Sequence, residues 1–474
     1  MTKSMISSLM LLMMVGGFIG CKKENNTPID QDFDPTKHGD YFVAPDGSDM
    51  NPGTYEEPWA TWQRAFEVAE AGDTVYFRGG VYKPEEAWYD GKYYNCLYMP
   101  HGETVVGHDG EPGNPICYFN FPGEEPILDC EKIEPFSNFN TAINMSRVNF
   151  VHFRGLTIRN VLQTRDYVEC FGIGATGCSN ITFERITIHN VEGNAFRYGS
   201  SFGTYPEIPY DTVLFINCDA YNCADILPRE PGATLGGAAD GYKTWGKPGT
   251  FMLFEGCRSW NNSDDGFDPG TDPVTVINNC WSFNNGYYDG DGTGFKTGGM
   301  LQDNGSTVTR LITNCIAANN SHSGLMLLEY DGYYRTNARI YNNLFYKNGG
   351  SGAFFSNNPD YPDALCEWRN NIALENKNGP FSNAYQPYVE SHNSWDYKPD
   401  DYPGYTITDT VKVADFVSLD IDQLSGKRQK DGSLPEISFG HLKEGSYLNT
   451  AGTFVGMSQN PPLGIDWDFL KSIK

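Results

Sequence analysis

Four aspartates and two lysines near the middle of the 474-residue chain have side chains able to do chemistry together: Asp240, Asp264, Asp265, Asp268, Lys243 and Lys296. Carboxylates gathered at close range repel one another unless a cation sits among them. Calcium suits such a set, being a hard ion with roughly six to eight oxygen ligands in flexible geometry; magnesium keeps more waters and fewer carboxylates. Asp-Gly pairs are also common turn formers, so Asp264-Asp265-Gly266 alone would say little. Convergence of all four beside a lysine says more. Lys296, in Gly-Phe-Lys-Thr-Gly-Gly, would lie next to the ion. A second positive charge is disfavoured there, which lowers the amine's pKa, and a neutral amine is a competent general base. A uronic acid is a substrate that needs both groups. The cation neutralises the C6 carboxylate and acidifies the C5 hydrogen, the base removes that hydrogen, and the glycosidic oxygen on C4 leaves. Lys243 would bind a substrate carboxylate or pair with Asp268. Arg197 and Arg335 are weaker candidates for contact with an acidic chain.

A repeat without a fixed period must bring these residues together. From about residue 150, an apolar residue or cysteine is followed four positions later by asparagine. The segments are Leu156…Asn160, Ile186…Asn190, Cys218…Asn222, Cys257…Asn261, Cys280…Asn284, Cys315…Asn319, Leu344…Asn348 and Ile372…Asn376. The asparagines are separated by 30, 32, 39, 23, 35, 29 and 28 residues. A second signature follows: a small or polar residue, usually glycine, an apolar residue, then a variable one, as in Asp240-Gly241-Tyr242-Lys243 and Asp265-Gly266-Phe267-Asp268. Repeats of this length, rich in short strands, predict a solenoid. The expected fold is all-β, a right-handed parallel β-helix in which equivalent residues stack about 4.8 Å apart. The asparagines would form an internal ladder at a tight corner, and Cys218, Cys257, Cys280 and Cys315 an inward column of small core residues. In the second signature the apolar residue points inward and the next one outward. The outward column then reads Arg197, Lys243, Asp268, Lys296, Met326, Phe354. Two insertions, Cys223–Ala239 and Asn285–Gly292, emerge at one corner and would wall a groove.

The rest of the chain frames this core. Residues 1–20 have one early lysine, an apolar stretch and small residues, as an export signal does. Phe18-Ile19-Gly20-Cys21 resembles a lipobox, which would make Cys21 a lipid anchor and place the protein at the outer membrane or cell surface; an ordinary secretory signal is the alternative. Residues 21–39 read as a tether and 40–474 as a single domain. Within it, 40–90 form an N-terminal cap containing a short amphipathic helix, and 396–474 give irregular C-terminal coverage. Twelve cysteines less Cys21 leave an odd number, so they cannot all pair. The balance of 34 basic against 60 acidic residues, a net charge of −26, argues against a nucleic-acid partner, which requires a basic face. An acidic protein can still hold an acidic polysaccharide through a bridging cation. A monomer is expected.

The segments ADGYK, WNNSDDGFD, NCWSFNNGY and GFKTGG resemble the motifs of polysaccharide lyase family 9. That resemblance implies a right-handed parallel β-helix, calcium held by Asp240, Asp264, Asp265 and Asp268, and Lys296 as the base. It covers most of residues 41–470, and the substrate it implies is an acidic pectic polysaccharide, either homogalacturonan (pectate) or the rhamnogalacturonan I backbone. The coil after Lys296 departs from the pattern: SHSGLMLLEY makes an apolar wall, which would suit the methyl group of rhamnose. Two other functions fit the same architecture. A glycoside hydrolase would use two carboxylates and no calcium, and a noncatalytic glycan-binding protein would use calcium structurally.

Overall fold

The structure is a computed structural model that describes residues 40–84, 88–89, 94–100, 108–135, 138–199, 211–246, 249–270, 274–298, 308–328, 337–355, 365–382, 388–396, 410–459 and 461–472. Each repeat carries three short runs of alternating inward and outward residues, and each run forms a strand. Among the described residues the strands fall into three sheets of 12, 10 and 11. Each repeat pairs with the next in parallel, and among the strands of the described residues only Trp88–Tyr89 and Tyr94–Pro100 pair antiparallel. This is the expected right-handed parallel β-helix.

Inward residues stack in register down the interior. Phe153, Phe183, Phe215 and Phe254 lie with ring centroids 5.8, 5.2 and 4.8 Å apart. Phe196, Tyr242, Phe267 and Phe295 make a second column at 5.0, 4.6 and 5.0 Å. Offset-stacked rings add to the stabilisation that burial already provides. Cys218, Cys257, Cys280 and Cys315 are free and buried in one column. The Sγ atoms of Cys218 and Cys257 each lie 3.3 Å from a backbone carbonyl of the coil below.

The asparagine repeat resolves into two adjacent columns. Asn160, Asn190, Asn222, Asn261, Asn284 and Asn319 have positive φ, between 53° and 60°. They turn the corner out of the 10-stranded sheet, and asparagine tolerates this left-handed conformation. The buried ladder is the next residue along. Asn262 donates to Asn285 (3.1 Å), Asn285 to Asn320 (3.0 Å), Asn320 to Asn348 (3.1 Å) and Asn348 to Asn376 (2.9 Å). The single ladder expected from the sequence therefore slips by one residue in its last two members, where Lys347 and Glu375 take the positive-φ position. The slip arises because three repeats carry Asn-Asn pairs (261–262, 284–285 and 319–320) whose members spacing alone cannot distinguish.

The N-terminal helix spans Trp62–Val68 and is capped by Thr61, whose side chain accepts from the Arg64 N–H. It covers the core with Trp62 against Phe77 (4.6 Å) and Phe66 against Tyr118 (4.9 Å). At the other end of the chain, the described residues from 410 onward contain short helical turns but no repeat. Leu424, Leu434, Phe439, Leu448 and Leu463 pack on the outward face of the 10-stranded sheet, over Trp260, Phe283, Ile316 and Leu344.

Candidate active site

The corner that delivers the chain from the 10-stranded to the 11-stranded sheet is crowded. A Cβ on Gly241 would come within 2.1 Å of Ser259 Oγ, and one on Gly266 within 2.0 Å of Ser282 Oγ. These contacts explain why the second signature favours glycine. The residue before each glycine is held by a relay from coil to coil. Asp240 N–H donates to Asn194 Oδ1 (3.0 Å), Asp265 N–H to Asp240 Oδ1 (3.0 Å) and Thr293 N–H to Asp265 Oδ1 (2.6 Å). Asp264 Oδ1 accepts from the Asp291 N–H at 2.9 Å. Asp240, Asp264 and Asp265 thus each commit one carboxylate oxygen to a backbone donor and keep the other for a further partner.

One oxygen from each of these three buried carboxylates lies within 4.8 Å of the others. Burial first, then the neighbouring carboxylates, pushes Asp264 up to about 9. Burial likewise pushes Asp265 up to about 7, against the pull of Lys296, and raises Asp240. Hard oxygen donors, fixed by backbone hydrogen bonds and costly to leave charged, fit a calcium ion. Asp268 stands slightly apart, bonded to the Lys243 ammonium, which lies 3.4 Å from Asp240 Oδ2.

The outward column follows the expected register: Arg197 pairs with Lys243, Lys243 with Asp268, Lys296 with Met326 and Met326 with Phe354. Lys296 Nζ lies 2.8 Å from Asp265 Oδ2 and 3.5 Å from Asp291 Oδ2. Burial pulls its pKa down, but Asp265, Asp268 and Asp240 together outweigh that pull, so the pKa lies above that of an ordinary lysine. The lowered value expected from the sequence is therefore not a property of the side chains alone. Arg197 is wedged between the rings of Phe171 (4.8 Å) and Trp245 (4.7 Å), and burial lowers its pKa. Arg335 and Cys21 lie outside the described residues.

The two insertions meet beside the carboxylates. Asp289 N–H donates to Leu235 O (3.2 Å), and Tyr287 Oη to Cys223 O (3.3 Å). Sequence reasoning missed Asn194 and Thr293 as relay members and Asp291 as a neighbour of both Asp264 and Lys296. The first two occupy the same signature position as Asp240 and Asp265, and that shared position was the available signal. No periodic signal marked Asp291, which sits in an insertion.

A family profile described as "Pel9A-like, right handed beta helix region" matches residues 41–371. Pectate lyase PEL9 of Emericella nidulans is 26% identical, over 84% of this chain and 91% of that protein. Pectate lyase L of Dickeya chrysanthemi is 29% identical, over 87% and 86%. Among solved structures, a rhamnogalacturonan lyase aligns with a TM-score of 0.65 at 27% identity, over 85% of this chain and 96% of that one. Pectate lyase Pel9A aligns with a TM-score of 0.65 at 25% identity, over 90% and 95%. With the profile spanning most of the chain and with three parallel sheets wound around one core, this protein belongs to the Pel9A-like right-handed β-helix family.

Proposed function

We propose that this protein is a polysaccharide lyase that cleaves galacturonate-containing pectic chains by β-elimination, with calcium as cofactor and Lys296 as the base. The observation that carries this reading is the buried group Asp240, Asp264 and Asp265, with Lys296 Nζ 2.8 Å from Asp265. The lyase names of the relatives support the reaction class and the substrate.

Asp240, Asp264 and Asp265 would hold the ion, joined by Asp268 once Lys243 turns away. Calcium supplies neutralisation of the galacturonate carboxylate and acidification of C5–H. Lys296 does the proton chemistry. With its carboxylate neighbours engaged as ligands, their hold on the ammonium weakens, and burial, which favours the free amine, takes over. Nζ then takes the C5 proton, the freed electron pair forms the C4–C5 double bond, and the C4–O bond breaks with its pair going to the departing oxygen, which takes a proton from water. Lys243 and Arg197, on the preceding coils of the same face, would meet carboxylates of neighbouring sugars. We further propose that residues 1–20 direct export, that Cys21 carries lipid at the cell surface, and that the enzyme is monomeric.

The test is ultraviolet absorbance of the unsaturated product from pectic polymers, with calcium and with chelator. The parent protein should give a calcium-dependent rise. Lys296→Ala should lose at least about 100-fold in turnover, the lower end of what a general base contributes, while keeping the thermal shift on calcium addition. New reducing ends without absorbance would indicate a hydrolase, and full activity in Lys296→Ala would remove the base assignment.

A further inference from the structure

The outward column of the 11-stranded sheet changes character at Lys296. On the N-terminal side of that rung lie Asp268, Lys243 and Arg197. On its C-terminal side lie Met326 and then Phe354, aligned in register with Lys296. Their strand neighbours Leu325, Leu327, Ala353 and Phe355 are fully buried. Alternation therefore aims Met326 and Phe354 away from the core, where both remain partly exposed. Two half-exposed apolar side chains on the same face as the base, one and two rungs away, form a floor continuous with the site.

We propose that Met326 sets substrate choice by accepting a deoxy sugar whose C6 is a methyl group, next to the galacturonate that reacts. The proposal rests on the lyase reading and deepens it. A pyranose is about as long as one rung spacing, so a chain lying along the column presents about one sugar per rung. In polygalacturonate every sugar carries a carboxylate, and the one next to the reacting sugar would be set against the Met326 thioether. Desolvating an unpaired charge is unfavourable, so this floor acts against that polymer as well as for the alternative one. In the rhamnogalacturonan I backbone, rhamnose alternates with galacturonate, so with galacturonate at Lys296 the methyl group of the next sugar meets the Met326 thioether one rung on. On the other side of Lys296 the alternation brings the next carboxylate to Lys243, two rungs away.

The experiment compares kcat/KM for rhamnogalacturonan I and for polygalacturonate, read as unsaturated product with calcium present. The parent should favour rhamnogalacturonan I. Met326→Arg should shift the ratio toward polygalacturonate by on the order of 10-fold, the scale at which one apolar contact discriminates. Met326→Leu should preserve the parent ratio, and matching thermal melts would show that both variants fold. A parent that prefers polygalacturonate, or a ratio unmoved in Met326→Arg, would overturn this inference and leave the lyase reading standing. A parent that yields unsaturated product from neither polymer would overturn both.

Discussion

At the scale of single residues, the site is three acids kept close by backbone donors rather than by positive charge alone. The raised values of Asp264 and Asp265, about 9 and about 7, fix the sign of a pH effect. A carboxyl whose folded pKa lies above its unfolded one favours folding while protonated. It costs stability as pH rises from near 4 through the folded value. A bound cation needs the carboxylates ionised and relieves that cost. Calcium should therefore raise the melting temperature more at pH 8 than at pH 5, and Asp265→Asn should shrink the effect; an equal shift at both pH values would contradict the ligand assignment. That the four acids and both lysines lie near one another was legible in the sequence because the repeat fixes which residues align; that Asp240, Asp264 and Asp265 close within 4.8 Å while Asp268 pairs with Lys243 did not follow from it. Nor was the ionisation of Lys296 legible. It depends on the 2.8 Å approach of Asp265 and on how much water the fold excludes, and spacing encodes neither.

At the scale of the element, the unit is a corner. In the coils of Asn261, Asn284, Asn319 and Lys347 the chain turns out of the 10-stranded sheet through a positive-φ residue, then buries an asparagine whose amide bonds to the next coil. Asn285 shows the economy of this position. Its Oδ1 accepts from the Asn262 backbone and side chain, while its Nδ2 donates to Ser259 O, Ser282 Oγ and Asn320 Oδ1. Asn285→Ala removes all of these and strands buried partners, at an expected cost of about 1–3 kcal/mol or more. Because Asn285 holds Asn262, just ahead of Asp264 and Asp265 on the neighbouring coil, the same variant should weaken the calcium-induced thermal shift, measured as melting curves with and without the ion. Unchanged stability would mean that water replaces the amide. The corner's existence was readable from the recurring asparagine. Which asparagine faces in was not, because doublets offer two registers one residue apart, and only the stacking of neighbouring coils selects between them.

At the scale of the whole molecule, a β-helix has two open ends and outward faces that later segments can cover. The Trp62–Val68 helix meets the first need and was legible as an amphipathic run ahead of the repeats. The segment from 410 onward covers an outward face. Arg428 and Arg258 both pair with buried Asp219, and Arg258 also donates to the carbonyls of Leu424 and Gly426. That docking was not legible beyond irregular coverage, since the segment has no period and its partners lie some two hundred positions earlier. The described core and its cap are built from residues 40 onward, and the expectation is that the proposed lipid on Cys21 takes no part in folding or in the reaction. Residues 21–39, read as a tether, would span at most about 65 Å when extended, enough to stand the helix off a membrane and leave its outward column open to a polymer. Cys21→Ala should therefore move the protein from the membrane fraction to the soluble fraction while leaving the specific activity on a pectic chain and the melting temperature unchanged. Parent protein found only in the soluble fraction would remove the anchor and leave the site untouched. Release accompanied by lost activity or a lower melting temperature would mean that the first 39 residues contribute to the fold after all.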